Sequence, residues 1–312
     1  FSAAPTGLEG IAGHSRVASR RPPGYQRELR LEGRYGRMLV RGRADGFDPS
    51  ANRLEEIKTH RRGNSPAPDS LFAVHRAQAM AYGWLLCETR GLAELDVALV
   101  YYDIAADRES VFAERHSAAA LKQFFDVLCQ RFLVWATAQA AHRLERDRML
   151  ADLAFPHDGF RSGQRALAEA VYRAHLTGRC LLAQAPTGIG KTLGTLFPAL
   201  KAMPGQRIDK LHYLCARTPG RQLALDALSR LCRESSRSAA SPVPAPLRVL
   251  ELVARDKACE HPDKACHGDS CPLAAGFHDR LPQARESAAT ARWLDRRAVR
   301  EIALRSRICP YY

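Results

Sequence analysis

Short runs of alternating apolar and polar residues, separated by turn-forming segments, mark the first part of the chain. These runs predict strands over residues 26–32, 38–45, 54–59, 96–102 and 110–115. Apolar residues at helical spacing predict a helix over residues 71–88 and a longer one over residues 118–146. Strands flanked by helices predict an α/β or α+β domain for this part of the chain.

The pattern changes after residues 155–159, where Pro and Gly predict a linker. From there to residue 255 helices, loops and strands alternate as in a doubly wound α/β domain, with strands predicted over residues 179–184 and 210–216. Beyond residue 255 the chain becomes polar and rich in Cys and His. We therefore predict three domains, covering residues 1–150, 151–255 and 256–312.

The bulk composition indicates a globular chain with a polyanionic partner. Hydrophobic residues make up 46% of the 312 residues, and the formal net charge of +14 favours nucleic acid over an anionic membrane. Nine cysteines are an odd count and fit a disulfide framework poorly. Because we find neither a spanning apolar run nor a secretory signal, we expect a cytoplasmic protein that does not bind membranes.

Residues 185–192 (Ala-Pro-Thr-Gly-Ile-Gly-Lys-Thr) match a phosphate-binding P-loop, with Ala at the first Gly position. A predicted strand precedes them and a predicted helix follows, which is the context that this loop requires. Glycines let backbone N–H groups approach phosphate oxygens, Lys191 can supply a charge to the β and γ phosphates, and Thr192 can bind Mg²⁺ through its hydroxyl. The loop predicts a site for ATP with Mg²⁺, formed by Thr187, Gly188, Gly190, Lys191 and Thr192.

Two acidic residues and a lysine form a candidate catalytic group in the first domain. On a strand, Glu56 and Lys58 project from one face, and Glu55 faces away. Asp45 is predicted to end the preceding strand, and if the two strands pair, Asp45 and Glu56 can hold one or two Mg²⁺ or Mn²⁺ ions that activate water. Lys58 can orient the water or stabilise the phosphorane. The alternative for Glu56 and Lys58 is a cross-strand ion pair on a solvated face.

Gln78 and Tyr82 lie four residues apart on a predicted helix and share one of its faces. Together with the acidic group, they resemble the PD-(D/E)xK nucleases of the RecB-like branch over about residues 9–115. The resemblance implies a restriction-endonuclease-like fold and catalytic roles for Asp45, Glu56, Lys58, Gln78 and Tyr82. The upstream metal-binding His of that branch would fall on His14, although a plain structural histidine is the alternative there.

Four cysteines, Cys259, Cys266, Cys271 and Cys309, crowd into the last sixth of the chain. Such a group favours a metal over disulfides in a reducing compartment. Their spacing leaves both iron and zinc open, and His261 and His267 lie within the group and can also bind zinc.

The cysteine segments resemble the iron–sulfur domain of the XPD/DinG helicases of superfamily 2. Residues 160–164 resemble the Q motif, whose Gln (Gln164 here) reads adenine, and residues 217–219 resemble motif Ia, which contacts the DNA backbone. Over residues 155–312 the resemblance implies a partial RecA-like P-loop domain with an inserted domain that holds a 4Fe–4S cluster. It also implies 5′→3′ movement on single-stranded or forked DNA.

The sequence as a whole therefore predicts an ATP-dependent DNA helicase with a nuclease domain, acting in DNA repair or processing. No Walker B Asp-Glu pair and no second motor domain precede Tyr312, so we expect an N-terminal part that binds nucleotide without translocating. Two alternatives stay open. One is a DNA-binding P-loop ATPase module with an inactive nuclease-like domain and zinc-binding cysteines, and the other is a zinc-containing P-loop ATPase with a different substrate.

Overall fold

The computed structural model describes residues 5–61, 69–238 and 246–311, and it has a mixed α/β architecture. The chain divides into two compact units, described in turn below. The first contains Phe1–Trp135 and Asp263–Pro282, and the second contains Ala136–Pro262 and Gln283–Tyr312. The division into three domains that the sequence suggested stays a prediction.

A five-stranded mixed sheet forms the centre of the first unit, with strand order β1-β2-β3-β4-β5. Strands β3 and β4 are parallel, and the other neighbours are antiparallel. The chain between the two parallel strands contains α2, as a parallel connection requires. The elements are α1 (Gly7–Ser19), β1 (Gln26–Tyr35), β2 (Met38–Asp48), β3 (Arg53–His60), α2 (Asp69–Arg90), β4 (Glu94–Asp103), β5 (Arg108–Ser117) and the start of α3 (Ala118–Ala151), whose residues after Trp135 belong to the second unit.

Helices α1 and α2 pack on opposite faces of this sheet. Val17 of α1 is fully buried against Ile57, whereas Leu85 of α2 is fully buried in the cluster that contains Leu54. Because neighbouring residues of a strand point to opposite faces, Leu54 and Ile57 belong to different faces. Strand β3 is therefore covered on both sides.

The end of β2 differs from its prediction. The strand continues to Asp48, so the prediction that Asp45 ends it is wrong. The reason is backbone pairing with β3, which extends from Gly46 opposite Glu55 to Asp48 opposite Arg53. Asp48 then accepts a hydrogen bond from the backbone N–H of Ser50 at 2.9 Å, and this starts the turn into β3.

The second unit consists mainly of helices, and it also contains one short parallel pair of strands. The unit contains α4 (Gln164–Thr177), α5 (Lys191–Gln206), α6 (Thr218–Ser238), β6 (Val249–Leu250), α7 (Arg255–Ala258), the end of α8 (Phe277–Thr290), β7 (Trp293–Leu294) and α9 (Arg296–Arg305). Its core is a cluster of leucines and other apolar residues from α3, α5 and α6, among them Leu150, Leu196 and Leu231.

The strands predicted over residues 179–184 and 210–216 are wrong, because neither segment is a strand in the structure. A strand needs a neighbour that satisfies its backbone groups, and no ladder in the described part of the chain includes these residues. Leu182 is fully exposed, and Leu214 is 90% exposed. The apolar character of these two segments was therefore not sufficient to make them strands.

Length and apolar character together determine whether a helix can cross a lipid bilayer. With 34 residues, α3 is long enough, but charged residues such as Lys122, Asp126 and Arg131 interrupt it. None of the helices in the described residues combines the two properties.

Candidate active site

The predicted catalytic group lies where β2 and β3 stop pairing. Their ladder ends at Gly46 and Glu55, and Asp45 is the next residue of β2. Its Oδ2 accepts a hydrogen bond from the backbone N–H of Ile57 at 2.7 Å. A side chain thus takes the place of a strand partner, and it fixes the Asp45 carboxylate beside Glu56.

His14 reaches the same carboxylate from α1. Its Nδ1 lies 3.3 Å from Asp45 Oδ1, and the hydrogen bond with Asp45 raises the pKa of His14 against the opposing effect of burial. The helix can approach β3 closely because Gly13 has no side chain, since a Cβ there would overlap Thr59. The structure therefore places His14 beside Asp45, where the nuclease resemblance put a metal ligand.

Strand β3 carries two neighbouring glutamates that are both buried, which is rare for charged residues unless they are paired. Glu55 is fully paired: its Oε2 accepts hydrogen bonds from Arg21 Nε at 2.7 Å and from the Tyr25 hydroxyl at 3.0 Å. Its Oε1 accepts one from Arg53 Nε at 3.1 Å. Glu55 thus faces away from the catalytic group, as predicted.

Glu56 is paired on only one of its two oxygens. Oε1 accepts a hydrogen bond from Lys58 Nζ at 2.6 Å, but Oε2 is buried and has no hydrogen-bond partner in the described part of the protein. Burial, and next the nearby Asp45 carboxylate, raise the pKa of Glu56 to about 7, while Lys58 and His14 act in the opposite direction. An unpartnered buried carboxylate oxygen is costly unless something else binds it.

Helix α2 completes the group on the side of Lys58. Gln78 Oε1 accepts a hydrogen bond from Lys58 Nζ at 3.3 Å, and Gln78 Nε2 donates to the Tyr82 hydroxyl at 3.4 Å. The Tyr82 ring lies against Gly42 of β2, where any side chain would overlap it. Two hydrogen bonds thus connect Gln78 and Tyr82, four residues apart on one helix face, to the lysine of β3.

Glu28 is a neighbour of the site that the sequence reasoning missed. Ligand atoms of His14, Glu28 and Asp45 all lie within 4.8 Å of one another. Glu28 has a positive φ of 55°, and the β1–β2 register skips it and Asp45 together. Its carboxylate also pairs with Arg43 Nε at 2.7 Å. Glu28 lies across from Asp45 in the β1–β2 hairpin, so the strand register is the sequence signal that could have identified it.

His75 is a second neighbour that the sequence reasoning missed, three residues before Gln78 on α2. Its Nδ1 lies 2.9 Å from the Tyr101 hydroxyl. Burial, and to a lesser extent the charge of Lys58, lower the pKa of His75 to about 4, so this imidazole is neutral at neutral pH. Tyr101 lies next to Lys58 in the parallel register of β3 and β4. Helical spacing from Gln78 is the signal that could have identified His75.

The predicted phosphate-binding loop of the second unit is followed by a helix, as expected, but the strand expected before it is absent, because residues 179–184 form no strand. Gly188 and Gly190 have φ values of 85° and 83°, and α5 begins at Lys191 directly after them. Lys191 Nζ donates hydrogen bonds to the carbonyl oxygens of Ala185 at 3.0 Å and Pro186 at 2.8 Å. Thr187 is exposed on the loop, and Thr192 is half-buried in the first turn of α5.

Gln164 lies beneath this loop. It is buried, its Oε1 accepts a hydrogen bond from the backbone N–H of Arg161 at 3.0 Å, and its Nε2 donates to the Gly190 carbonyl at 3.0 Å. Arg161 Nη1 also donates to the Gly188 carbonyl at 2.7 Å. Gln164 therefore supports the P-loop backbone, and its role in adenine recognition stays a prediction.

The four late cysteines are free thiols, and they are divided between the two units. Cys266 and Cys271 belong to the first unit, and Cys259 and Cys309 belong to the second. Among the residues that the structure describes, the group of His14, Glu28 and Asp45 is the one whose ligand atoms lie together, and it contains no cysteine. The 4Fe–4S cluster stays a prediction.

No family model matches the chain, and no curated protein matches it. A solved structure described as "Crystal structure of SSO0001" matches with a TM-score of 0.28 and 22% sequence identity. The match covers 39% of this chain and 58% of that chain, which is less than two thirds of its length. A likeness this weak carries no argument about fold or function.

Proposed function

We propose that the first unit is a divalent-cation-dependent DNA nuclease. One observation carries this proposal: Glu56 has a buried oxygen without a hydrogen-bond partner, beside Asp45 and within reach of the charge of Lys58. The contrast with Glu55, whose oxygens are all paired, indicates that the second glutamate is kept for binding something else.

The available ligands fit a hard divalent cation. His14, Glu28 and Asp45, whose ligand atoms lie within 4.8 Å of one another, would hold it, and the buried Oε2 of Glu56 near Asp45 offers a further carboxylate oxygen. Carboxylate oxygens suit Mg²⁺ and Mn²⁺. When bound, such a cation lowers the pKa of a water molecule and offsets negative charge on a phosphodiester.

The side chains around the carboxylates hold the lysine in place. Glu56 Oε1 and Gln78 Oε1 both accept hydrogen bonds from Lys58 Nζ. Gln78 Nε2 in turn donates a hydrogen bond to the Tyr82 hydroxyl, which holds Gln78 in place. An ammonium group held in this way can donate a hydrogen bond to a phosphate oxygen and stabilise the charge that develops there. His14 orients Asp45 from the other side.

The test is cleavage of end-labelled single-stranded and forked DNA with Mg²⁺ or Mn²⁺. We expect Asp45→Ala and Lys58→Ala each to lower the rate by about 100-fold or more, because each removes charge stabilisation at the reacting phosphate. The exposed Glu94 of β4 offers a matched control, and Glu94→Gln should cleave like the parent. Equal cleavage by Asp45→Ala and the parent would mean that the activity comes from a contaminant, and the proposal would fail.

We further propose that the second unit binds ATP with Mg²⁺ and belongs to a 5′→3′ DNA helicase of the XPD/DinG type, with the RecA-like and iron–sulfur parts that this implies. The support is the P-loop itself, with two glycines of positive φ and free N–H groups at the start of α5. Phosphate oxygens would replace the carbonyls of Ala185 and Pro186 as partners of Lys191.

Nucleotide binding can be measured by titrating the protein with a fluorescent ATP analogue. We expect saturable, Mg²⁺-dependent binding that Lys191→Ala weakens by about tenfold or more, since it removes a charge that faces phosphate. Lys210→Ala, at an exposed position outside the loop and α5, is the matched control. Identical affinity in parent and Lys191→Ala would exclude a P-loop site.

The cysteine proposal has its own test. Protein purified without oxygen should be brown and contain four iron atoms per chain if a 4Fe–4S cluster is bound. Cys266→Ser should lose both colour and iron, whereas Cys129→Ser, at a cysteine buried in the apolar core of the first unit, should keep them. A colourless protein with stoichiometric zinc would support the zinc alternative instead.

A further inference from the structure

The outward face of the β1–β2 hairpin is lined with arginines. From Glu28 to Arg34 on β1 and from Met38 to Arg43 on β2, exposed residues alternate with inward-facing ones. The inward-facing positions pack against the apolar core. The exposed positions of this face are Glu28, Arg30, Glu32 and Arg34 on β1, Arg37 in the turn, and Leu39, Arg41 and Arg43 on β2.

Positive charge on this hairpin face exceeds what the hairpin itself can neutralise. Arg41 pairs with Glu32, and Arg43 pairs with Glu28, each at 2.7 Å. Arg30, Arg34 and Arg37 form no ion pair with any residue that the structure describes. Five arginines thus stand against two glutamates on one exposed surface.

The strand register also places two of these positive charges directly beside each other. Arg30 lies directly opposite Arg43 in the antiparallel ladder. Like charges in directly opposed positions destabilise a sheet, and both side chains are exposed; Glu28 pairs with Arg43 and leaves Arg30 without an ion pair among the described residues. A bound anion would remove this repulsion, so the pair points to a negatively charged partner.

The hairpin face leads directly to the candidate active site. Asp45 follows Arg43 by two residues on β2, and Glu28 precedes Arg30 by two residues on β1. At about 3.3 Å per residue, the arginines extend roughly 20 Å from this end of the hairpin to its turn. A polyanion lying along the face would therefore meet the carboxylates at one end.

We infer that the hairpin face binds the sugar–phosphate backbone of a DNA strand and positions that strand at the site of Asp45. The inference rests on the proposed nuclease function and adds the surface that holds its substrate. An anionic membrane fits less well, because Leu39 is the one large apolar side chain on the face and is only 37% exposed. Arginine is well suited to phosphate because its planar guanidinium presents several donors at once.

The test is fluorescence anisotropy of the full chain with a short labelled single-stranded DNA, at several salt concentrations and with divalent cations removed to prevent cleavage. The variant is Arg30→Gln with Arg34→Gln, because neither arginine has an ion pair in the described part of the chain. The control is Arg108→Gln with Arg131→Gln, which removes the same charge from exposed positions of the same unit, on β5 and α3.

We expect the Arg30/Arg34 variant to bind about tenfold more weakly and to reduce the slope of log Kd against log salt by about 1.4, since each lost phosphate contact on a single strand removes about 0.7. The control should change the slope by much less. Thermal unfolding midpoints equal to the parent's would show that both variants remain folded.

Three outcomes would overturn the inference. The first is equal salt slopes for the Arg30/Arg34 variant and the control, and the second is no DNA binding by the parent. The third is unchanged DNA binding together with lost sedimentation on phosphatidylserine vesicles, which would assign the face to a membrane. Cleavage is measured separately with Mg²⁺. DNA binding that depends on Arg30 and Arg34, without any cleavage, would reject the nuclease proposal but support the DNA-binding face. Cleavage together with DNA binding that does not depend on Arg30 and Arg34 would reject the DNA-binding face alone.

Discussion

The carboxylate of Asp45 accepts a hydrogen bond from the backbone N–H of Ile57 at 2.7 Å, at the point where strands β2 and β3 stop pairing. One oxygen of this side chain therefore has a structural task, and the other lies beside His14. The two tasks can be separated experimentally, because an amide can accept the Ile57 hydrogen bond but binds cations poorly.

Asp45→Asn should fold normally and lose cleavage, whereas Asp45→Ala should lose both cleavage and stability. Alanine leaves the Ile57 N–H without a partner, and an unsatisfied buried donor costs about 1–3 kcal/mol. Urea unfolding of the parent and both variants measures this difference. If Asn and Ala are equally destabilising, the hydrogen bond to Ile57 contributes little, and Asp45 acts through its charge alone.

The raised pKa of Glu56 gives a second prediction, on stability and pH in the absence of cations. Its pKa lies at about 7 in the folded protein, above the ordinary value of 4.5. The folded state therefore binds the proton more tightly than the unfolded state. This contribution is fully present below about pH 4.5 and is lost as the pH rises through about 7.

We expect the unfolding free energy of the metal-free parent to fall between about pH 5 and pH 8, and the Glu56→Gln variant to show a flatter profile because its amide does not titrate. Denaturant unfolding at closely spaced pH values is the measurement. Glu94→Gln, at an exposed ion-paired position, should reproduce the parental slope. A parental slope in Glu56→Gln would assign the pH dependence to other groups.

The sequence predicted the first unit well and the second poorly, for a physical reason. Strands β1 to β5 are short runs of strand-forming residues between turn-forming segments, and the motif residues Asp45, Glu56 and Lys58 lie close together along the chain. The segments over residues 179–184 and 210–216 are equally apolar. Strand formation also requires a pairing partner, and local pattern cannot supply that information.

Two features that the sequence reasoning missed, Glu28 and the helix that carries the predicted His14, depend on strand register and on helix capping. Glu28 is far from Asp45 in sequence and meets it only through the β1–β2 pairing. Helix α1, which carries His14, was not predicted, although Thr6 and Glu9 form a capping box at its start. Both signals are present in the sequence, but neither appears in a search for apolar periodicity alone.

Gly42 supplies a third prediction, because Tyr82 packs where its side chain would be. Gly42→Ala should destabilise the protein by about 1–3 kcal/mol, since the new methyl group would overlap the Tyr82 ring and force it to move. Cleavage should also fall, because a displaced Tyr82 no longer supports Gln78 and Lys58. Chemical unfolding and the cleavage assay measure the two effects.

Gly7→Ala is the matched control for that substitution, since a Cβ at Gly7 meets no atom within 4 Å. It should leave cleavage unchanged. The double variant Gly42→Ala with Tyr82→Ala should lose less stability than the sum of the two single losses, because the overlap is relieved. Additive losses in the double variant would show that the two positions do not interact and that the overlap is not the cause.

The last prediction concerns Gln164, which the helicase resemblance assigned to adenine and which the structure places beneath the P-loop. Gln164→Ala should cost about 1–3 kcal/mol, because the backbone N–H of Arg161 and the carbonyl of Gly190 lose their partner. Nucleotide affinity should fall for every nucleoside triphosphate alike, since the effect acts through the shape of the phosphate loop. Gln222→Ala, at an exposed position of α6, should change neither quantity. A Gln164→Ala variant that keeps its stability and loses affinity for ATP but not for GTP would instead show that this side chain reads the base.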